Sequence, residues 1–89
     1  MTTRFLVSGR VQHVGYRWFV MTKAKIAGVT GYIRNKSDGT VEIYLDGARE
    51  NIDAMYHICM QGPTFARVDN IDISRDITAP ADTGIFYAF

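Results

Sequence analysis

The stretch VTGYIRNKSDGTVEIYLD, residues 29–46, decides the fold, because it places two strand-forming segments on either side of a tight turn. The segments are Val29 to Asn35 and Thr40 to Asp46. The pair Asp38-Gly39 between them is a strong hairpin signal, since glycine takes positive φ at little cost. In the second segment three aliphatic residues alternate with a glutamate and a tyrosine. This alternation predicts a strand with one buried face.

A helical pattern lies on each side of this hairpin. Between Tyr16 and Ala27 apolar residues recur at intervals of three and four, and Gly28 follows as a residue that readily ends a helix. A second pattern of this kind runs from about Ala48 to Gln61 and is followed by Gly62-Pro63. The sequence therefore predicts one amphipathic helix before the hairpin and one after it.

Further strands are predicted outside the helices. Arg4 to Val11 alternates in the period-two manner of a strand. After the second helix, apolar residues change parity between Val68 and Ile71, which predicts a strand with a bulge near Asp69-Asn70. Thr78 to Gly84 is predicted to be a loop, and Ile85 to Phe89 a short final strand.

The order strand, helix, strand, strand, helix, strand is that of the α+β, ferredoxin-like split βαβ fold. In this fold the sheet is antiparallel and both helices pack on one of its faces. We expect residues 1–89 to form a single domain, because 89 residues suffice for one core only.

Composition narrows the classes of function. Hydrophobic residues at 47% and charged residues at 21% are typical of a globular chain, and a net charge of +1 gives no global field for nucleic acid or anionic membranes. The longest apolar runs are far shorter than the roughly 20 residues of a membrane-spanning helix. The lone Cys59 and the absence of a signal-peptide pattern favour a reducing setting. We expect a cytoplasmic protein, monomeric, with neither nucleic acid nor membrane as its partner.

Ferredoxin-like sheets also bind RNA through exposed aromatic residues, which makes RNA binding an alternative. The third strand, Val41 to Leu45, lacks the Lys/Arg-Gly-aromatic-Gly/Ala-Phe-Val run of such proteins. The sequence therefore gives this alternative little support.

The connection from the first strand to the first helix, Gly9 to Arg17, is the strongest candidate site. The first amide donors of a helix have no partner within it, and they carry the positive end of the helix dipole. Gln12, His13 and Val14 are poor capping residues, so these donors are predicted to be available to an oxyanion. A cation such as Arg17 at this helix end is favourable only beside a negative charge.

Topology adds Asn35 to this candidate site. The first two strands of a βαβ unit run parallel, so their carboxyl ends lie at one edge of the sheet. Asn35 ends the second strand, about 10 Å from the first loop with the third strand between them. We expect Arg17 and Asn35 to converge there, where a carboxamide, which both donates and accepts, can hold a water molecule and a carbonyl oxygen together.

The segments that carry these residues, Val7 to Arg17, Gly31 to Asn35 and Asp38-Gly39, resemble the acylphosphatase family over nearly the whole chain. The resemblance implies a metal-free, cofactor-free enzyme that hydrolyses small acyl phosphates, with inorganic phosphate or sulfate as competing anions. By position, Arg17 and Asn35 inherit the catalytic roles: Arg17 holds the phosphate and Asn35 orients the attacking water. The phosphate-binding residues that it implies are Gln12, His13, Val14, Gly15, Tyr16 and Arg17.

His13 departs from the family signature, which has glycine at this position. Glycine allows positive φ and close approach of the phosphate, whereas histidine in that conformation is uncommon. The substitution leaves a second hypothesis open, that of a catalytically weakened regulatory module that binds phosphate or another small anion.

Three further residues are of types found in catalytic or binding sites, but a structural or surface role explains them more simply: Cys59, His57 and Trp18. Cys59 lies on an apolar stripe and is predicted to be a buried structural thiol. His57 is predicted to be a surface residue without a metal-ligand partner. Trp18 is expected to be exposed, at a substrate entrance.

Overall fold

A computed structural model describes residues 2–78 and 87–89 of the chain. The hairpin at its centre is built as the sequence predicts. Asp38 accepts hydrogen bonds from the backbone N–H and the hydroxyl of Thr40, and the Gly39 amide donates to the Lys36 carbonyl at 3.2 Å. The elements are β1 (Thr2–Arg10), α1 (Tyr16–Ala27), β2 (Thr30–Asn35), β3 (Val41–Asp46), α2 (Arg49–Gln61), β4 (Arg67–Ile77) and β5 (Tyr87–Ala88).

The strands form one antiparallel sheet in the order β4-β1-β3-β2-β5. Since β3 is antiparallel to both β1 and β2, these two strands are parallel and their carboxyl ends share one edge. The ferredoxin-like prediction is confirmed. The short β5 adds a fifth strand beside β2, while the predicted loop from Thr78 to Gly84 lies outside the described residues except for Thr78.

The core lies between one face of the sheet and the two helices. Phe5 of β1 pairs with Ile43 of β3, which pairs in turn with Ile33 of β2, so three fully buried side chains form one row. The helices cover this row with apolar residues at helical spacing. These are Val20 and Ala24 of α1 together with Ile52, Met55 and Cys59 of α2.

The predicted bulge in β4 is present. Ser8 pairs with Asn70 while Gly9 pairs with Val68, so Asp69 is the extra residue on β4. Gly9 has φ 129, and a Cβ there would collide with the backbone carbonyl of Arg67. The bulge therefore requires glycine at the point where β1 leads into the candidate site.

The prediction that β3 has one buried face is wrong, since both of its faces are buried. Glu42 is only 3% exposed, and its carboxylate bonds to Arg4 at 2.6 Å and to Arg34 at 2.7 Å. Burial alone would raise the pKa of Glu42, but the bonds and charges of the two arginines outweigh it and hold that pKa below its usual value. Because β3 is central, long side chains of β1 and β2 close over it.

No helix within residues 2–78 and 87–89 is long and apolar enough to span a membrane.

Candidate active site

The loop from Val11 to Gly15 leads from β1 into α1, and Gly15 is the N-cap residue, with φ 79. Within residues 2–78 and 87–89, no side chain caps this end of the helix. The Gly15 carbonyl accepts the first helical hydrogen bond from the Phe19 amide at 3.0 Å. The amide donors and the positive dipole end are thus presented to whatever occupies the cleft in front of them.

His13 adopts the conformation that a glycine would take in this loop. Its φ is 61, in the left-handed region, and its side chain is exposed. Histidine enters this region more readily than β-branched residues do. The loop therefore keeps a left-handed turn at position 13 in spite of the departure from the family signature.

We predict that His13→Val lowers the free energy of unfolding by about 1–3 kcal/mol, because a β-branched residue is strained at this positive φ. His13→Gly is the matched variant, and we expect no such loss from it, because glycine adopts this φ freely. Urea unfolding of the two variants and of the original chain measures both. Equal loss in the two variants would show that the imidazole, and not the backbone, stabilises the loop.

A cleft of about 160 Å³ lies in front of the helix N-terminus and brings together residues from three elements. Arg17 enters it from the first turn of α1, and Asn35 enters it from the end of β2. Its lining is Val11, His13, Gly15, Tyr16, Arg17, Trp18 and Asn35. Arg17, Asn35 and the N-terminus of α1 thus line one small space.

Asn35, which lines this cleft, carries an unsatisfied polar atom. Its Oδ1 is buried and has no hydrogen-bond partner among the residues that the structure describes. A buried acceptor without a partner costs about 1–3 kcal/mol. Such an atom is accounted for when a donor from outside the chain, such as a water molecule, occupies the site.

Gln12 and Val14 do not line the cleft. The Gln12 Nε2 group donates to the carbonyls of Lys36 and Thr40, at 2.7 and 2.9 Å, and Val14 packs against the core. The Gln12 side chain therefore ties the loop after β1 to the turn after β2, which holds the two parts of the site together. No pattern in the sequence indicates this long-range contact.

Tyr16 anchors the start of α1 in the core. It is buried, and its hydroxyl donates to the Cys59 carbonyl at 2.8 Å. Burial raises the pKa of the Tyr16 hydroxyl, so it stays protonated. Burial likewise raises the pKa of the Cys59 thiol to about 12. Cys59 is the buried structural thiol that the sequence predicts, and not a nucleophile.

Tyr87 is a residue of this region that sequence reasoning missed. The Arg17 guanidinium carbon lies 4.4 Å from the centre of the Tyr87 ring, a cation–π contact. The final strand was predicted, but its position beside β2 was not, so nothing in the sequence joined Tyr87 to Arg17.

The described residues contain no group of three or more His, Cys, Asp or Glu side chains that could hold a metal ion. His57 is exposed on α2, as predicted.

A single-layer antiparallel sheet with two helices on one face defines an α+β protein of the ferredoxin-like fold. The family model for acylphosphatase matches residues 3–86. The chain belongs to the acylphosphatase family, which is a family of enzymes, and the resemblance noted in the sequence is confirmed.

Named relatives and a solved structure agree with this membership. An acylphosphatase of Koribacter versatilis is 44% identical over 72 residues, which are 81% of this chain and 66% of that protein. One of Methylococcus capsulatus is 46% identical over 84 residues, 94% of this chain and 87% of that protein. The crystal structure of an acylphosphatase from Bacillus subtilis superposes with a TM-score of 0.80 at 33% identity, covering 85% of this chain and 87% of that one.

Proposed function

We propose that the chain hydrolyses acyl phosphates to a carboxylate and inorganic phosphate, with Arg17 and the loop amides binding the phosphate and Asn35 orienting the attacking water. The observation that carries this proposal is that Arg17 and Asn35 line the same cleft, and that the buried Asn35 Oδ1 has no hydrogen-bond partner among the described residues. It supports the proposal because a cation suited to phosphate and an acceptor suited to water would then lie close together.

The phosphoryl group is bound by charge and by oriented donors. The planar Arg17 guanidinium can donate to two phosphate oxygens at once, and the amides of the uncapped first turn can donate to others. These donors are set in place before the substrate arrives. Negative charge that accumulates on the phosphoryl oxygens in the transition state is therefore stabilised without reorganisation of the site.

The water reacts while it is held by the carboxamide. It donates one hydrogen bond to Asn35 Oδ1, and its oxygen forms a bond to phosphorus as the bond from phosphorus to the acyl oxygen breaks. The electron pair of the broken bond leaves with the carboxylate, and a water proton passes to a phosphate oxygen. Because a carboxylate is a weak base, the departure needs no strong general acid.

The conformation of His13 helps to decide between the hydrolase and the alternative, a module that binds an anion without hydrolysing the substrate. That alternative depended on a loop distorted by the histidine, and the φ of 61 at His13 gives the loop its left-handed turn. The geometry therefore favours the hydrolase over the binding module.

The test is hydrolysis of benzoyl phosphate by protein treated with EDTA, with phenyl phosphate, a monoester, as the control substrate. We expect turnover of benzoyl phosphate, no turnover of the monoester, and the same rate with or without chelator. Competitive inhibition by inorganic phosphate and by sulfate should accompany it. Phosphate binding without hydrolysis of either substrate would support the binding module instead.

A further inference from the structure

A second groove adjoins the cleft and is lined by large side chains. It has a volume of about 170 Å³ and is formed by Arg17, Trp18, Met21 and Tyr87. Trp18 is 74% exposed and Tyr87 is 53% exposed. Large aromatic side chains are usually mostly buried, and exposed ones that line a common concavity are typical of binding sites.

The groove and the cleft are neighbours, because Arg17 and Trp18 line both of them. In an acyl phosphate a single oxygen joins the phosphoryl group to the acyl group. A substrate whose phosphate lies on Arg17 therefore places its acyl group within a few ångströms of that residue, where the groove is the apolar surface next to it.

The walls of the groove come from two elements that are fixed relative to each other. Trp18 and Met21 are three residues apart on α1 and so lie on the same side of the helix. Tyr87 belongs to β5, which pairs with β2, and the contact of its ring with Arg17 holds the opposite wall at the cleft. An apolar cavity of roughly 150 Å³ holds a benzene ring, so the groove matches an aromatic acyl group in size.

We propose that the groove of Trp18, Met21 and Tyr87 binds the acyl part of the substrate and makes the chain selective for acyl phosphates with aromatic or large apolar acyl groups. This inference rests on the proposed function and deepens it. Trp18 supplies stacking area and Met21 supplies a flexible apolar contact that adapts to the shape of the acyl group. A small acyl group such as acetyl is too short to use either side chain.

The experiment compares kcat/KM for benzoyl phosphate with kcat/KM for acetyl phosphate. The benzoyl-to-acetyl ratio of kcat/KM in each variant is compared with the same ratio in the original chain, so the intrinsic reactivities of the two substrates cancel. We expect Trp18→Ala to lower the benzoyl-to-acetyl ratio by about tenfold, Met21→Ala to lower it by about threefold, and Trp18→Phe to restore part of it. Phe65→Ala is the matched control, because Phe65 is 77% exposed and lines neither space, and its ratio should equal that of the original chain.

The possible results distinguish a failure of the acyl-site proposal from a failure of the proposed hydrolase function. A ratio that falls in Trp18→Ala but not in Phe65→Ala supports the acyl site. Hydrolysis of both substrates with the same ratio in all variants overturns the acyl site and leaves the proposed function standing. Hydrolysis of neither substrate by the original chain overturns both.

Discussion

Replacing Arg17 with alanine is expected to lower kcat/KM for an acyl phosphate by about 10³-fold while the chain stays folded. Arg17 lines the cleft beside the helix N-terminus, and in the proposed mechanism the two-point contact of its guanidinium with phosphate strengthens as charge accumulates in the transition state. Removal of the side chain also ends its contact with Tyr87, an exposed ring whose loss of a partner costs the fold little. Steady-state kinetics measure kcat/KM, inhibition by inorganic phosphate measures the binding of the anion, and circular dichroism shows whether the variant is folded.

Two further variants make the Arg17 result specific. Arg17→Lys keeps the charge but loses the planar fork, and we expect it to remain about 10²-fold below the original chain. Arg49→Ala removes an exposed arginine whose bond to Asp53 is 3.4 Å long, and we expect it to keep full activity. A folded Arg17→Ala variant with undiminished turnover would remove Arg17 from the mechanism.

The parts of the fold that could be predicted are those that depend on single residues or on neighbours in the sequence. The turn at Asp38-Gly39 and the helix stop at Gly28 act through the conformational freedom of single residues, which a sequence displays directly. The parity change after Val68 likewise revealed the bulge at Asp69, because strand periodicity is a property of neighbouring residues. These features predict the order of the elements, and the antiparallel sheet of the ferredoxin-like fold follows from that order.

Features that depend on distant residues could not be predicted in the same way. The alternation in β3 marks one face as apolar, but whether the other face is open depends on Arg4 and Arg34, which reach Glu42 from adjacent strands. Gln12 was expected at the phosphate, yet its side chain donates to carbonyls of the turn after β2. Each of these contacts joins segments whose relative placement is known only once the sheet is assembled.

The candidate site could be predicted in part. The uncapped helix end could be inferred from the absence of a capping residue, and the parallel course of β1 and β2 predicts that Asn35 lies near Arg17. The burial of Asn35 Oδ1 without a partner among the described residues could not be inferred, because it depends on every side chain around that atom.

Asn35→Ala is expected to lower kcat by about 10²- to 10³-fold with a change in KM of less than about threefold. In the proposed mechanism the carboxamide holds the water and carries no charge that binds phosphate, so its loss should affect the transition state more than the bound substrate. The variant should be at least as stable as the original chain in urea, because it removes a buried acceptor that has no partner among the described residues.

Asn51→Ala is the matched control, since Asn51 lies on α2 away from the cleft and its loss should leave both constants unchanged. Asn35→Asp retains an oxygen acceptor but adds a negative charge facing the phosphate, so we expect its KM to rise together with a fall in kcat. The two substitutions thus separate the orienting of water from the binding of the anion. If Asn35→Ala instead raised KM and left kcat unchanged, Asn35 would be a phosphate ligand, and the water would have to be held by another group in the cleft.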